Sequence, residues 1–60
     1  MGNRYKAGEA VVERIRPLQK LIVSHFSLNL YYCKVETHRN RKELVYFERD
    51  LIAVGGVNNN

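Results

Sequence analysis

The densest set of chemically capable side chains in this sequence is His38-Arg39-Asn40-Arg41-Lys42, which places three fixed positive charges and one titratable ring in five residues. Cations so closely spaced suit phosphate contacts, and the release of counterions would make such binding depend on salt. Arg14, Arg16, Lys20, Lys34 or Arg49 lying beside it would extend the patch into a basic face, with Lys20 and Lys34 as its chief support, and an exposed tyrosine such as Tyr32 would add a stacking surface for unpaired bases. The candidate nucleic-acid site is therefore Arg39, Arg41, Lys42, Lys20, Lys34 and Tyr32. The plainer explanation is that hairpin tips are charged because they face water.

No other set of residues reaches a chemistry. Cys33 lies among apolar neighbours, where a cysteine acts as a small hydrophobe, and a nucleophilic role would need an activating base such as His25 across a strand pair. Ser24, Ser27, His25 and His38 do not have triad spacing. Glu48 and Asp50 read as turn residues and not as an acid pair, since a glycosidase pair needs a cleft between its carboxyls. Two distant histidines and a single cysteine frame neither a metal site nor an internal disulfide. Gly55-Gly56 does not open a helix as a phosphate loop does. A protein without catalysis, cofactor or metal is expected.

Sixty residues suffice for one domain, which at that length buries roughly 60% of its unfolded surface and is marginal in stability. The net charge of +4 and a pI near 9.6 permit attraction to nucleic acid, anionic lipid or acidic proteins. No run approaches the ~20 apolar residues of a membrane span, and no signal peptide is evident. These features predict a cytoplasmic protein, a monomer or weak homo-oligomer, with nucleic acid or a protein as partner and no membrane attachment.

The elements that must position these residues read as short strands. Residues 1–6 are polar and expected to be flexible, and Ala7-Gly8-Glu9 is a turn leading into a first strand over Ala10–Ile15, which outcompetes a helix pinned between Gly8 and Pro17. Arg16-Pro17-Leu18-Gln19 connects, because Pro17 lacks a ladder donor. Lys20–Phe26 is the second strand, Ser27-Leu28-Asn29 a turn with Asn29 best suited to a left-handed conformation, and Leu30–Glu36 the third strand. In that strand Tyr31, Cys33 and Val35 share one face while Leu30, Tyr32 and Lys34 share the other, so one of the adjacent tyrosines must leave the core. Thr37–Arg41 is a hairpin tip, Lys42–Phe47 the fourth strand, Glu48-Arg49-Asp50 a turn or single 3₁₀ turn, and Leu51–Val54 the fifth strand. Residues 55–60 offer too little apolar side chain to offset their ordering entropy and read as a disordered tail.

Five short strands at this spacing predict an all-β domain over residues 7–54, a small five-stranded SH3-like barrel, whose closure removes unpaired edges. The blocks Tyr5-Lys6-Ala7-Gly8-Glu9-Ala10-Val11-Val12, Lys20-Leu21-Ile22-Val23-Ser24, Cys33-Lys34-Val35 and Tyr46-Phe47-Glu48-Arg49-Asp50-Leu51 occur in an order that resembles the small bacterial proteins called YodC-like. The resemblance covers about residues 5 to 54. Gly8 and Glu9, Lys20 to Val23, Cys33, Tyr46, Glu48 and Leu51 carry it, while Arg16-Pro17-Leu18-Gln19 departs from the family's Gly-Gly-Pro turn by one added residue. The resemblance implies an SH3-like fold and a bacterial setting. It implies no activity, because the family has none established.

Two readings of function remain. One is a binding module for nucleic acid, or for a complex associated with nucleic acid, through the basic tip. The alternative is a protein adaptor that takes a peptide or a second copy of itself along an exposed strand edge or aromatic groove.

Overall fold

The computed structural model describes residues 4–54. Five strands form one antiparallel sheet: β1 (Ala10–Glu13), β2 (Leu21–Ser27), β3 (Leu30–Val35), β4 (Leu44–Tyr46) and β5 (Leu51–Ala53), in the spatial order β4-β3-β2-β1-β5. The described residues contain no α-helix, and a 3₁₀ turn, Glu48–Asp50, joins β4 to β5. The fold is all-β as expected. Among the described residues no backbone ladder joins β4 to β5, so the sheet is not closed.

Four of the five strands are shorter than expected, because a strand needs a partner as well as a propensity, while β2 keeps its seven residues one position further along. β1 ends at Glu13 and not at Ile15: the Arg14 amide donates to the Asp50 carbonyl at 2.8 Å, and the Ile15 side chain is 90% exposed. β4 starts at Leu44 and not at Lys42, since the connection from β3 closes through two successive turns, His38 N–H to Val35 O at 3.0 Å and Arg41 N–H to His38 O at 3.1 Å.

The chain enters β1 through a turn in which the Glu9 amide donates to the Lys6 carbonyl at 3.0 Å. Gly8 has φ +92°, the left-handed region a type II turn requires at that position. The β2–β3 hairpin turns on Leu28 (φ 52°) and Asn29 (φ 65°). Two consecutive left-handed residues are the type I′ geometry that matches strand twist, so Leu28 adopts a conformation expected only of Asn29.

One irregularity decides which residues meet the core. Val23 pairs with Cys33, but His25 pairs with Tyr32, which leaves Ser24 as an extra residue on β2. A bulge of this kind bends its strand and flips the alternation beyond it. Phe26 therefore turns inward beside Tyr31, ring centroids 4.7 Å apart, while His25 faces out.

The bend lets one sheet wrap a single core of Tyr5, Val11, Leu21, Val23, Tyr31, Cys33 and Leu51, with Phe26, Val35, Tyr46 and Ala53 packed against it. Tyr31 is the buried member of the tyrosine pair. Tyr5, which lies before the expected domain start at residue 7, is 5% exposed, its ring packs edge-on to Tyr31 at 5.4 Å, and its hydroxyl donates to the Leu51 carbonyl at 3.2 Å. The Tyr31 hydroxyl accepts from the amides of Arg4 at 2.6 Å and Tyr5 at 3.1 Å. A polar segment thus places one large ring where the small core needs volume. Residues 1–3 of the expected flexible N-terminus and the expected tail, residues 55–60, lie outside the described residues.

Candidate functional site

Alternation along β3 sends Tyr32 and Lys34 to the face opposite the core. Tyr32 lies flat on His25 of β2, ring centroids 4.4 Å apart and planes 11° from parallel. The bulge at Ser24 creates this pair, because regular alternation would have turned His25 into the core. Val45 of β4 pairs with Tyr32 and is 47% exposed, so the outward surface of β2, β3 and β4 carries a histidine, a tyrosine and an aliphatic side chain side by side.

β3 ends at Val35, one residue beyond Lys34, and the chain runs directly into the loop that carries Arg39, Arg41 and Lys42. All three are exposed, and none takes part in an ion pair of 4 Å or less among the described residues. Lys20 also lies at this end, where its carbonyl accepts from the Glu36 amide at 3.0 Å, but its ammonium faces the Glu36 carboxylate at 4.0 Å. Lys34, Arg39, Arg41 and Lys42 therefore present cations outside any ion pair among the described residues along one face and one end of β3, Tyr32 presents a ring stacked on His25, and Lys20 is partly neutralised. Glu13, a potential interruption of the basic surface, instead accepts a hydrogen bond from the Tyr46 hydroxyl.

Cys33 and His25 face opposite sides of the sheet, so the only pairing that could activate the thiol is not formed. Cys33 is fully buried, and burial, with a smaller contribution from the nearby Glu43 carboxylate, pushes its thiol up to about 11. At neutral pH it stays protonated. Among the described residues no cluster of three or more His, Cys, Asp or Glu side chains is placed to hold a metal ion, and no helix is long and apolar enough to cross a membrane.

No family model, curated protein or solved structure matches this chain. What can be said of its function rests on the site itself.

Arg14 and Arg49 do not join the basic loop; with Arg4, which sequence reasoning missed, they form a second concentration of charge. Arg4, Arg14 and Arg49 line a cleft of about 550 Å³ together with Tyr5, Phe26 and Phe47. The three arginines are scattered over 46 positions, and Arg4 falls in a segment with no apolar pattern, so nothing local joins them. Asn29 of the β2–β3 turn also lines the cleft, which places it at the opposite end of β3 from the basic loop.

Proposed function

We propose that this protein is a non-enzymatic binding module that takes single-stranded nucleic acid, alone or within a larger complex, along the outward face of β3 and the basic loop that follows it. The observation that carries the reading is the shared outward face of Tyr32 and Lys34, continued by Arg39, Arg41 and Lys42. Backbone phosphates would meet the loop cations, and a base would stack on the ring pair of Tyr32 and His25. Stacking of this kind contributes about 1–3 kcal/mol per base and tolerates any sequence.

We also propose an SH3-like barrel of the YodC-like kind in a bacterial cytoplasm. Support comes from the strand order β4-β3-β2-β1-β5, the bent β2 and the 3₁₀ turn between the last two strands. The Tyr46 to Glu13 hydrogen bond, which links strands on either side of the open seam, favours the same reading.

Binding of fluorescent single-stranded RNA, single-stranded DNA and duplex DNA, measured from low to physiological salt, tests the proposal. Saturable binding to single strands that weakens with salt is expected, with a smaller salt slope in the double variant Arg39→Ala, Arg41→Ala. Tyr32→Ala should weaken single-strand binding without changing that slope. Absence of binding at low salt would reject nucleic acid as the partner.

The adaptor reading draws on a different surface. β4 is a free edge strand whose Leu44 is 41% exposed, and Ile15 and Leu18 of the β1–β2 connection are 90% and 85% exposed. A peptide or second copy adding a strand there would bury them. Under that reading Leu44→Lys would abolish partner capture, whereas the double arginine variant would not.

A further inference from the structure

The cleft at the other end of β3 has a charge and shape of its own. Arg4 precedes β1, Arg14 follows it, and Arg49 stands in the 3₁₀ turn, yet all three face one space. Among the described residues the only carboxylate in the lining is Glu48, so three positive charges against one negative leave a formal charge of +2. The Arg4 to Glu48 pair is long, 3.7 Å, with side chains 68% and 48% exposed, and water weakens it further.

Arg14 is oriented before any ligand arrives. Its Nε donates to the Arg49 carbonyl at 2.8 Å, which fixes the guanidinium and leaves its two terminal nitrogens as donors. The Arg49 guanidinium lies over the Phe47 ring, 4.7 Å from its centroid, and that ring is 48% exposed. The cleft thus combines an anchored donor fork with a stack of two flat groups. Its volume of about 550 Å³ falls within the roughly 300–1,000 Å³ of small-ligand sites.

The lining charge selects among anions. A phosphomonoester carries about −1.5 to −2 at neutral pH and matches +2, whereas a carboxylate or an internal phosphodiester carries a single charge and leaves one guanidinium uncompensated. We propose that this cleft binds a mononucleotide, its terminal phosphate held by Arg14 with Arg4 and its base laid against the Phe47 and Arg49 stack. The site is separate from the outward face of β3, and a mononucleotide here does not require nucleic acid there.

Calorimetric titration of the full chain with adenosine monophosphate, adenosine, ribose phosphate and inorganic phosphate at neutral pH and low salt tests this. The monophosphate should bind saturably, with adenosine and ribose phosphate each roughly tenfold or more weaker, since each lacks one half of the recognition. Arg14→Gln should cost the monophosphate roughly tenfold and leave adenosine unchanged. Phe47→Leu should erase the preference for the nucleotide over ribose phosphate. Amide chemical-shift mapping of the unmodified protein decides the matter even where a variant fails to fold. Shifts centred on Tyr5, Arg14, Phe47 and Arg49 support the proposal. No binding of the monophosphate, equal affinity for adenosine, or shifts centred on Arg39 and Arg41 would overturn it.

Discussion

The Tyr46 hydroxyl on β4 donates a 2.5 Å hydrogen bond to Oε2 of Glu13 on β1, joining two strands that share no backbone ladder. β3 and β2 lie between them in the sheet, so the contact exists only because the sheet curls until its far strand approaches its fourth. A side chain does there what backbone pairing does elsewhere in the sheet.

Tyr46→Phe keeps the ring and removes this link. The bond is charge-assisted and half-buried, so the loss should be about 1.5–3 kcal/mol, a large fraction of the stability of so small a domain. Urea unfolding of Tyr46→Phe, Glu13→Gln and the double variant would measure the coupling. Additive losses would show that the seam is not held by this pair.

Stability should fall in alkali. The Cys33 thiol is raised in the folded state to about 11, and the Tyr46 phenol is also raised, by burial first and then by its bond to Glu13. A group whose pKa rises on folding keeps its proton after the unfolded chain has released it. Its contribution is complete below the unfolded pKa and is lost as pH climbs through the folded one. The decline should begin near pH 9 for Cys33 and continue past pH 10 for Tyr46. A tenfold difference in proton affinity between the folded and unfolded chain contributes at most about 1.4 kcal/mol. In Cys33→Ala, thermal unfolding between pH 9 and 10 should be flatter than in the parent, at a baseline cost of about 1 kcal/mol for the lost sulfur.

Removing the Tyr5 ring should unfold the protein. Large aromatic to alanine changes in a core cost about 3–5 kcal/mol, comparable to the whole stability expected at this size. Tyr5→Ala should lose its far-UV β signal at room temperature, and a chain starting at Ala7 should behave alike. Tyr5→Phe, which keeps the ring and loses the bond to the Leu51 carbonyl, should stay folded with a lower melting temperature. A folded Tyr5→Ala would show that the ring is dispensable.

Leu28 offers a gain. Its side chain is 85% exposed, so it contributes little packing, while its backbone holds φ 52°, a region costly for a leucine. Leu28→Asn combined with Asn29→Gly supplies the residue pair this turn prefers and should stabilise by about 0.5–1 kcal/mol. Chemical denaturation midpoints would register it, and an unchanged midpoint would mean that the turn is not strained.

Local chemistry made much of the fold legible. Gly8 and Asn29 mark turns through their tolerance of positive φ, the Glu48–Asp50 break marks the 3₁₀ turn, and the alternation of Leu30 to Val35 puts Cys33 and Lys34 on opposite faces of the strand. For the adjacent tyrosines alternation stated the dilemma and left the choice open. Periodicity describes a strand but not its partner, so the strand ends, the bulge at Ser24 and the open seam came from pairing. Tyr5 reads as part of a polar segment because its burial depends on rings more than 20 positions away.

The candidate sites divide along the same line. Arg39, Arg41 and Lys42 were visible because adjacent residues must share a neighbourhood, whatever the fold. The stack of Tyr32 on His25 and the meeting of Arg4, Arg14 and Arg49 were not, because each depends on a bend or a return of the chain that no short window contains. Sequence by itself determined which residues carry charge, which must be apolar and where the chain can turn, since these follow from side-chain chemistry and local backbone sterics. Only the tertiary structure decided which of them face one another, because burial in a 60-residue chain is settled jointly by strands distant in sequence competing for one small core.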